Sequence, residues 1–287
     1  MKVGYFSYKA DKFVGAVFKE KVFNLSSSSL RFKNERIYGI EFLLRENCFQ
    51  TDFLQQLLEK GKNHEEFWYK LDDVTFTPLY TPRKIICLGR NYAEHAKETG
   101  ALVPEEPIYF EKATSAIIAH NQPIIYPEDV GRVDPEVELA VIVGKRTKNV
   151  KEEEAERYVA GYTILNDVTA RDMQKHDIEN RLPWYRSKSI DTFCPVGPWI
   201  VTAEEIGIEE PLRIELRVNG RIRQKSSTKN LLFDIPSLLS SISSMITLEP
   251  GDIISTGTPE GISPIYPGDL VEAEIEKIGI LKNPVRI

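Results

Sequence analysis

Two carboxylates stand at the start of an apolar strand in residues 134–145, DPEVELAVIVGK. This feature limits the possible folds and functions of the chain more than any other. β-Branched and apolar residues predominate, Pro135 stands at the start, where a strand tolerates proline, and Gly144 marks the end. Side chains alternate between the two faces of a strand, so Glu136 and Glu138 point the same way. Such neighbouring carboxylates repel each other and resist desolvation, and they therefore need a shared proton, a basic partner or a bound cation.

A second strand supplies a third carboxylate. Residues 161–167, GYTILND, are typical of a short strand that ends in Asp167. Together with Glu136 and Glu138, this residue makes a set of three acids with no histidine–cysteine pair nearby. An all-oxygen set suits a hard cation, so the sequence predicts a Mg²⁺ site, with Mn²⁺ or Ca²⁺ as alternatives. The acidic run at residues 152–156 is instead typical of a solvated helix face.

Composition limits the partners and the compartment. The 287 residues include 37 Lys and Arg against 43 Asp and Glu, a net charge of −6 without any basic block, so no nucleic-acid partner is expected. Cys48, Cys87 and Cys194 are widely spaced and odd in number, which predicts reduced thiols in a cytosolic protein. The first residues lack the apolar run of a signal peptide and no stretch is long enough to span a membrane, so we expect a soluble cytoplasmic protein.

The chain is predicted to divide at about residue 80. Residues 1–80 combine strand-like runs, the last of them at 37–42, with a helical pattern from Phe53 to Leu58, and they carry no recognisable chemistry. They predict a small N-terminal α/β domain of unknown role. Residues 81–287 alternate short strands, turns and helices and contain all the candidate site residues, so they predict a second domain that carries the site.

Three further segments offer groups for catalysis. Residues 91–98 are typical of a short helix, on which Glu98 can orient the imidazole of His95 as a general base, although the spacing also fits an ordinary surface pair. Lys188 is predicted to lie in a loop at residues 186–195, where a lysine is usually exposed, yet a buried lysine beside carboxylates can stabilise an enolate or transfer protons. The Gly- and Thr-rich loop at 256–261 can present N–H groups and hydroxyls to an anion, although such loops are more often only turns.

Taken in order, these motifs resemble those of the fumarylacetoacetate hydrolase family, from about Lys84 to the end of the sequence. Each motif alone is weak, whereas the ordered set is highly specific. The resemblance rests on Gly89-Arg90-Asn91-Tyr92 with His95 and Glu98, Glu136-Val137-Glu138-Leu139, Asn166-Asp167-Val168-Thr169-Ala170-Arg171-Asp172 with Gln174, Lys188-Ser189 with Asp191-Thr192, and Leu248-Glu249-Pro250-Gly251-Asp252 with Thr256-Gly257-Thr258-Pro259.

The resemblance implies a fold class and a set of site residues. The expected fold is α+β and predominantly β, with residues 81–287 forming the family's mixed β-roll catalytic domain. The expected partners are a small-molecule 2-oxo acid substrate and a second copy of the chain, in a homodimer. The implied roles are Glu136, Glu138 and Asp167 as Mg²⁺ ligands, Lys188 as a catalytic residue, Arg171, Gln174, Thr192 and Thr258 as substrate-binding residues, and His95 with Glu98 as a catalytic pair on a lid-like helix.

The predicted function is that of a Mg²⁺-dependent enzyme that acts on a 2-oxo acid through a metal-stabilised enolate. Hydrolysis of a C–C bond in an acylpyruvate- or fumarylpyruvate-type substrate is favoured, because His95 with Glu98 can deprotonate water. The alternatives on the same site are an oxaloacetate-type decarboxylase and an isomerase of the 2-hydroxyhepta-2,4-diene-1,7-dioate or 5-carboxymethyl-2-hydroxymuconate type. A metal-dependent nuclease is disfavoured by the net charge of −6. A non-catalytic scaffold or binding protein is disfavoured by the intact set of ligands.

Overall fold

The computed structural model describes residues 1–46, 49 and 51–287. Cys48 lies outside the described residues, whereas Cys87 and Cys194 are buried free thiols. The α-helices are α1 (Leu25–Lys33), α2 (Ile40–Arg45), α3 (Thr51–Gly61), α4 (Ala93–Glu98), α5 (Arg171–Glu179), α6 (Tyr185–Lys188) and α7 (Ile235–Met245). Short 3₁₀ helices span Glu65–Phe67, Leu71–Asp73, Thr114–Ala116, Glu152–Tyr158, Ala203–Glu205 and Thr228–Asn230.

The strands account for most of the architecture. They are β1 (Lys2–Tyr8), β2 (Asp11–Phe18), β3 (Lys21–Asn24), β4 (Trp68–Lys70), β5 (Thr75–Phe76), β6 (Ile85–Gly89), β7 (Ile108–Glu111), β8 (Ile117–Ile118), β9 (Ile124–Ile125), β10 (Val133–Asp134), β11 (Val137–Val143), β12 (Val159–Asn166), β13 (Thr169–Ala170), β14 (Cys194–Thr202), β15 (Arg213–Val218), β16 (Arg221–Ser227), β17 (Ile253–Ser255), β18 (Leu270–Ile275) and β19 (Gly279–Arg286). The predicted α+β, predominantly β fold is confirmed.

One long mixed sheet organises the fold. Its strands follow the order β4-β3-β2-β1-β14-β12-β11-β17-β6-β7, with β5 paired to β1 and β8 to β14. Strand β11 lies between β12 and β17, and every one of its residues is buried. A strand that is covered on both faces needs apolar side chains throughout, which explains its run of valine, leucine and isoleucine.

A second sheet covers one face of the first. Its five strands follow the order β16-β15-β18-β19-β9, and its inner side chains join the same apolar cluster as β11 and β12. Burial alternates along β15 and β18, as expected for strands with one face in the core and one face in water. The turn at Asn219-Gly220 connects β15 to β16, and both residues have the positive φ that such hairpin turns require, at 52° and 73°.

Residues 1–80 continue the long sheet. Strand β1 pairs antiparallel with β14, with Lys2 opposite Val201 and Val3 opposite Ile200. Buried side chains from both parts of the chain form one apolar cluster, in which Val3 of β1 joins Ile253 of β17. The segment that was expected to be separate therefore shares its sheet and its core with the rest, and the domain boundary at residue 80 stays a prediction.

Two elements differ from the sequence prediction. Residues 37–42, predicted as a strand, include the start of helix α2, because a short buried apolar run does not distinguish strand from helix. Lys188, predicted in a loop, is the last residue of α6 and is buried.

The acidic run at Glu152–Tyr158 is a short 3₁₀ helix with several exposed glutamates, as expected for a solvated face. In the described ranges, none of the helices has both the length and the apolar composition needed to cross a bilayer.

Candidate active site

The three predicted metal ligands come from two adjacent strands. Glu136 precedes β11, Glu138 is the second residue of β11, and Asp167 follows β12. Antiparallel pairing places Val137 opposite Asn166, and the Asn166 side chain accepts a hydrogen bond from the Glu136 N–H at 2.9 Å. One carboxylate oxygen from each acid therefore lies within 4.8 Å of the others, with all three residues buried. We call Glu136, Glu138 and Asp167 the acid triad.

Glu138 is the member of the acid triad that has no cationic hydrogen-bond partner in the described residues. Within the described residues, the Glu138 carboxylate accepts hydrogen bonds from neutral donors, the Ser255 hydroxyl at 2.6 Å and the Gly257 N–H at 2.9 Å. Burial, followed by the negative charge of Asp167, raises the pKa of Glu138 to about 8. A buried carboxyl group without a cationic partner gains most from a hard cation, and three carboxylates are ligands that Mg²⁺ and Mn²⁺ accept.

Buried side-chain cations hold the other two acids. The Lys188 ammonium donates to Glu136 Oε2 at 2.8 Å and to Asp167 Oδ2 at 2.5 Å. Lys112 donates to Asp167 Oδ1 at 2.7 Å and also to the main-chain carbonyl of Lys188. Although burial alone would raise the pKa of Glu136, the positive charges of Lys188 and Arg171 hold it well below its usual range. Sequence reasoning missed Lys112. The sequence indicated only that buried carboxylates need cations in general, not which lysine would supply the charge.

Helix α5 adds two predicted substrate-binding residues. The Arg171 guanidinium donates to the Glu136 carboxylate, to Asp134 Oδ2 at 2.7 Å and to Gln174 Oε1 at 2.6 Å. Asp134 is fully buried and was not among the predicted site residues. Because it accepts the Arg171 Nε–H, Asp134 fixes the direction in which the guanidinium faces the acid triad.

Helix α4 carries the predicted base. His95 is 93% buried, and its Nδ1 lies 3.4 Å from Glu98 Oε2. The Glu98 carboxylate also accepts from the Gly261 N–H, at 3.1 Å to each oxygen. Burial would raise the pKa of Glu98, but hydrogen bonds from His95 and Gly261 hold it below its usual range. Both side chains line the cavity that contains the acid triad, which has a volume of about 500 Å³.

The two predicted threonines have different positions. Thr258 lines the cavity, where its hydroxyl donates to the Val137 carbonyl at 3.0 Å and accepts from Gln224 at 2.9 Å. Thr192 is not part of the cavity lining in the described residues, because its hydroxyl accepts from the Ile125 N–H at 2.9 Å. The nine predicted site residues other than Thr192 all line this cavity.

The geometry agrees with comparisons to known proteins. Residues 84–286 match the family model for the fumarylacetoacetate (FAA) hydrolase C-terminal region. The chain belongs to the fumarylacetoacetate hydrolase family. The resemblance stated from the sequence motifs is therefore confirmed, and the protein is an enzyme of this family.

Several similar proteins are characterised by their structure or activity. Fumarylacetoacetate hydrolase from Exiguobacterium antarcticum has a TM-score of 0.84 at 33% identity, with 100% of this chain and 99% of that chain covered. Maleylpyruvate hydrolase from Sphingobium sp. SYK-6, solved with manganese(II) and pyruvate, has a TM-score of 0.80 at 30% identity and covers 100% and 99%. Oxaloacetate tautomerase fahd2 from Xenopus laevis is 43% identical over 215 residues, 72% of this chain and 67% of that protein. Isomerases are also among the similar structures.

Proposed function

We propose that this enzyme hydrolyses a carbon–carbon bond in a 2-oxo acid of the acylpyruvate or fumarylpyruvate type. The observation that carries the proposal is that His95 and Glu98 line the same cavity as the acid triad. One cavity thus combines ligands for a divalent cation with a base that can activate water. Decarboxylation requires no such base, because CO₂ leaves directly, and isomerisation requires only proton transfers.

The acid triad would hold the cation, which we propose to be Mg²⁺. When bound, it would act as a Lewis acid toward the carboxylate and keto oxygens of a 2-oxo acid. The similar maleylpyruvate hydrolase was solved with manganese(II) and pyruvate, which is itself a 2-oxo acid, and this supports the proposal.

Lys188 and Arg171 supply fixed positive charge beside the acid triad. Burial lowers the pKa of Lys188, but Asp167 and Glu136 raise it above its usual range, so the ammonium stays protonated at neutral pH. It stabilises the negative charge that develops on the keto oxygen as the C–C bond breaks. In the described residues, three of the five N–H donors of Arg171 are engaged, which leaves two for a substrate carboxylate.

His95 and Glu98 supply the base. The His95 imidazole takes a proton from water as the oxygen adds to the carbonyl remote from the 2-oxo acid group, and the carboxylate of Glu98 stabilises the resulting imidazolium. Cleavage of the C–C bond then yields a carboxylic acid and the enolate of pyruvate. Lys188 donates a proton to that enolate carbon, which completes pyruvate. The His95 imidazolium then releases to solvent the proton that it took from water, and Lys188 takes one proton from solvent, so both residues return to their starting states and the reaction balances.

The test is an assay of acetylpyruvate, fumarylpyruvate and oxaloacetate with Mg²⁺ and with chelator. We expect hydrolysis of an acylpyruvate that chelator abolishes and that His95→Ala slows by roughly 10²- to 10⁴-fold. His176→Ala is the matched control, because His176 is an exposed histidine on α5 and should leave the rate unaltered. Hydrolysis that persists at the wild-type rate in His95→Ala would exclude this mechanism.

A second candidate is enol–keto or decarboxylation chemistry on oxaloacetate. The 43% identity to oxaloacetate tautomerase fahd2 favours it. The His95→Ala variant separates the candidates, because oxaloacetate turnover should persist if α4 only covers the cavity, whereas acylpyruvate hydrolysis should collapse.

The proposal also includes a homodimer, which sedimentation of the full chain would test.

A further inference from the structure

One cation of the cavity has no role in the proposed hydrolysis. Lys188 and Arg171 face the acid triad. Arg132 pairs with Asp134 at 2.8 Å. In the part of the chain that the structure describes, the Arg90 guanidinium has no carboxylate within ion-pairing distance. It is therefore the cavity cation whose charge is still available to a ligand.

Lys175, the remaining cation of the lining, differs from Arg90. Its ammonium lies 4.0 Å from Glu179 one helical turn away, and its side chain is 76% exposed. Such an exposed pair contributes little, and water screens the charge of Lys175. Arg90 is only partly exposed and stands on the loop between β6 and α4, at the wall of the cavity.

The surroundings of Arg90 hold its side chain in place. Its backbone φ of 59° lies in the left-handed region, which residues other than glycine and asparagine rarely adopt. The guanidinium lies over the Trp184 indole, 5.6 Å from the ring centre. That indole needs a glycine beneath it, because a Cβ on Gly89 would lie 2.8 Å from Trp184 Cζ3. Phe110 packs against the same indole, with ring centres 5.6 Å apart.

We propose that Arg90 binds a second carboxylate of the substrate, remote from the keto group, and so selects 2-oxo dicarboxylic acids over 2-oxo monoacids. The inference rests on the proposed function, in which the acid triad and Arg171 receive the 2-oxo acid end. An indole that covers one face of a guanidinium leaves its N–H edge free for a two-pronged contact with a carboxylate. Ile178 and Ile262 also line the cavity and suit the carbon chain between the two charged ends.

The test uses matched pairs of stable acids and the Mn²⁺-loaded protein. The pairs are 2-oxoglutarate with 2-oxopentanoate, 2-oxoadipate with 2-oxohexanoate, and 2-oxopimelate with 2-oxoheptanoate, each measured by calorimetry. At the chain length that reaches Arg90, we expect the dicarboxylate to bind roughly 10- to 100-fold more tightly than the monoacid. Arg90→Gln should bring that ratio close to 1, and Lys175→Gln, the exposed control, should preserve it.

Two further variants guard against a change in the backbone. Arg90→Asn suits the left-handed φ and should also abolish the ratio, whereas Arg90→Lys keeps a charge and should give an intermediate ratio. A wild-type protein that binds both members of every pair equally, or a ratio that survives in Arg90→Gln and Arg90→Asn, overturns the role of Arg90 and leaves the proposed function standing. If no 2-oxo acid binds the Mn²⁺-loaded protein, the proposed function fails, and the role of Arg90 fails with it.

Discussion

The two walls of the cavity are built by different means. The acid triad stands on β11 and β12, central strands of the long sheet, and buried lysines and an arginine surround it. His95 and Glu98 stand on α4, a helix of six residues with no side-chain cap at its start. A helix that short has little stability of its own. The difference suggests that changes at the acid triad affect folding as well as catalysis, whereas changes on α4 affect catalysis almost alone.

The strongest challenge to this contrast is Lys188→Met. The change leaves Glu136 and Asp167 buried with less positive charge, so the free energy of unfolding should fall by roughly 3 to 5 kcal/mol in the presence of chelator. Urea unfolding measures it. Lys175→Met on the exposed face of α5 is the control and should change stability by less than about 0.5 kcal/mol. A loss below about 1 kcal/mol for Lys188→Met would mean that the acid triad is not part of the folding core.

The acid triad should also make stability depend on pH. Because burial and Asp167 raise the pKa of Glu138 from its usual 4.5 to about 8, the folded protein holds a proton that the unfolded chain releases. The stabilising contribution is present in full below pH 4.5 and is lost as pH rises through 8, a decrease of at most about 5 kcal/mol without metal.

Glu138→Gln removes this titration, so its stability should vary less between pH 5 and 9 than that of the wild type. Chemical unfolding in chelator across this range measures the difference. Glu272→Gln, a substitution on the outer face of β18, supplies the control. Identical pH dependence in the wild type and Glu138→Gln would show that Glu138 is already ionised in the folded protein.

Gln224 supports the wall that carries the acid triad, because it joins β11 to the loop at 256–261. Its buried side chain accepts from the Val137 N–H at 3.0 Å and donates to the Thr258 hydroxyl at 2.9 Å and the Pro259 carbonyl at 2.7 Å. Gln224→Met leaves these groups without their partner, which should cost roughly 1 to 3 kcal/mol of stability and weaken Mn²⁺ binding. Calorimetry and urea unfolding measure both effects, with Gln122→Met as the control for a glutamine away from the acid triad. Unaltered Mn²⁺ affinity would show that Gln224 does not position the metal ligands.

The acid triad was predictable because local rules determine it. Alternation along β11 puts Glu136 and Glu138 on one face, and a strand that ends in Asp167 pairs beside it. The partners of the triad were not predictable. Lys112 reaches Asp167 across 55 residues and Gln224 reaches Val137 across 87, and no spacing in the sequence signals such contacts.

The fold shows the same division between local and distant effects. The two strands that carry the acid triad follow from patterning and the fold class follows from the family resemblance, whereas the pairing of β1 with β14 joins residues about two hundred positions apart and was not foreseen. Residues 40–42, predicted as part of a strand, are helical because the apolar side chains of α2 pack into the core. Thr192 carries a family motif, but its position depends on a contact with Ile125 that only the folded chain reveals.

The smallest effect on stability, and the clearest separation of the two walls, is expected from Glu98→Gln. The substitution keeps the shape of the side chain and an acceptor for the Gly261 N–H, and the carboxylate is partly exposed, so unfolding should change by less than about 1 kcal/mol. Hydrolysis should still slow by roughly 10-fold, because a neutral amide stabilises the His95 imidazolium less than a carboxylate does. Glu94→Gln, an exposed carboxylate on the same helix paired with Lys97, should alter neither quantity. Steady-state kinetics measures the rate of hydrolysis, and urea unfolding measures the stability. If Glu98→Gln lowered the free energy of unfolding by several kcal/mol, α4 would be as much a part of the folding core as β11.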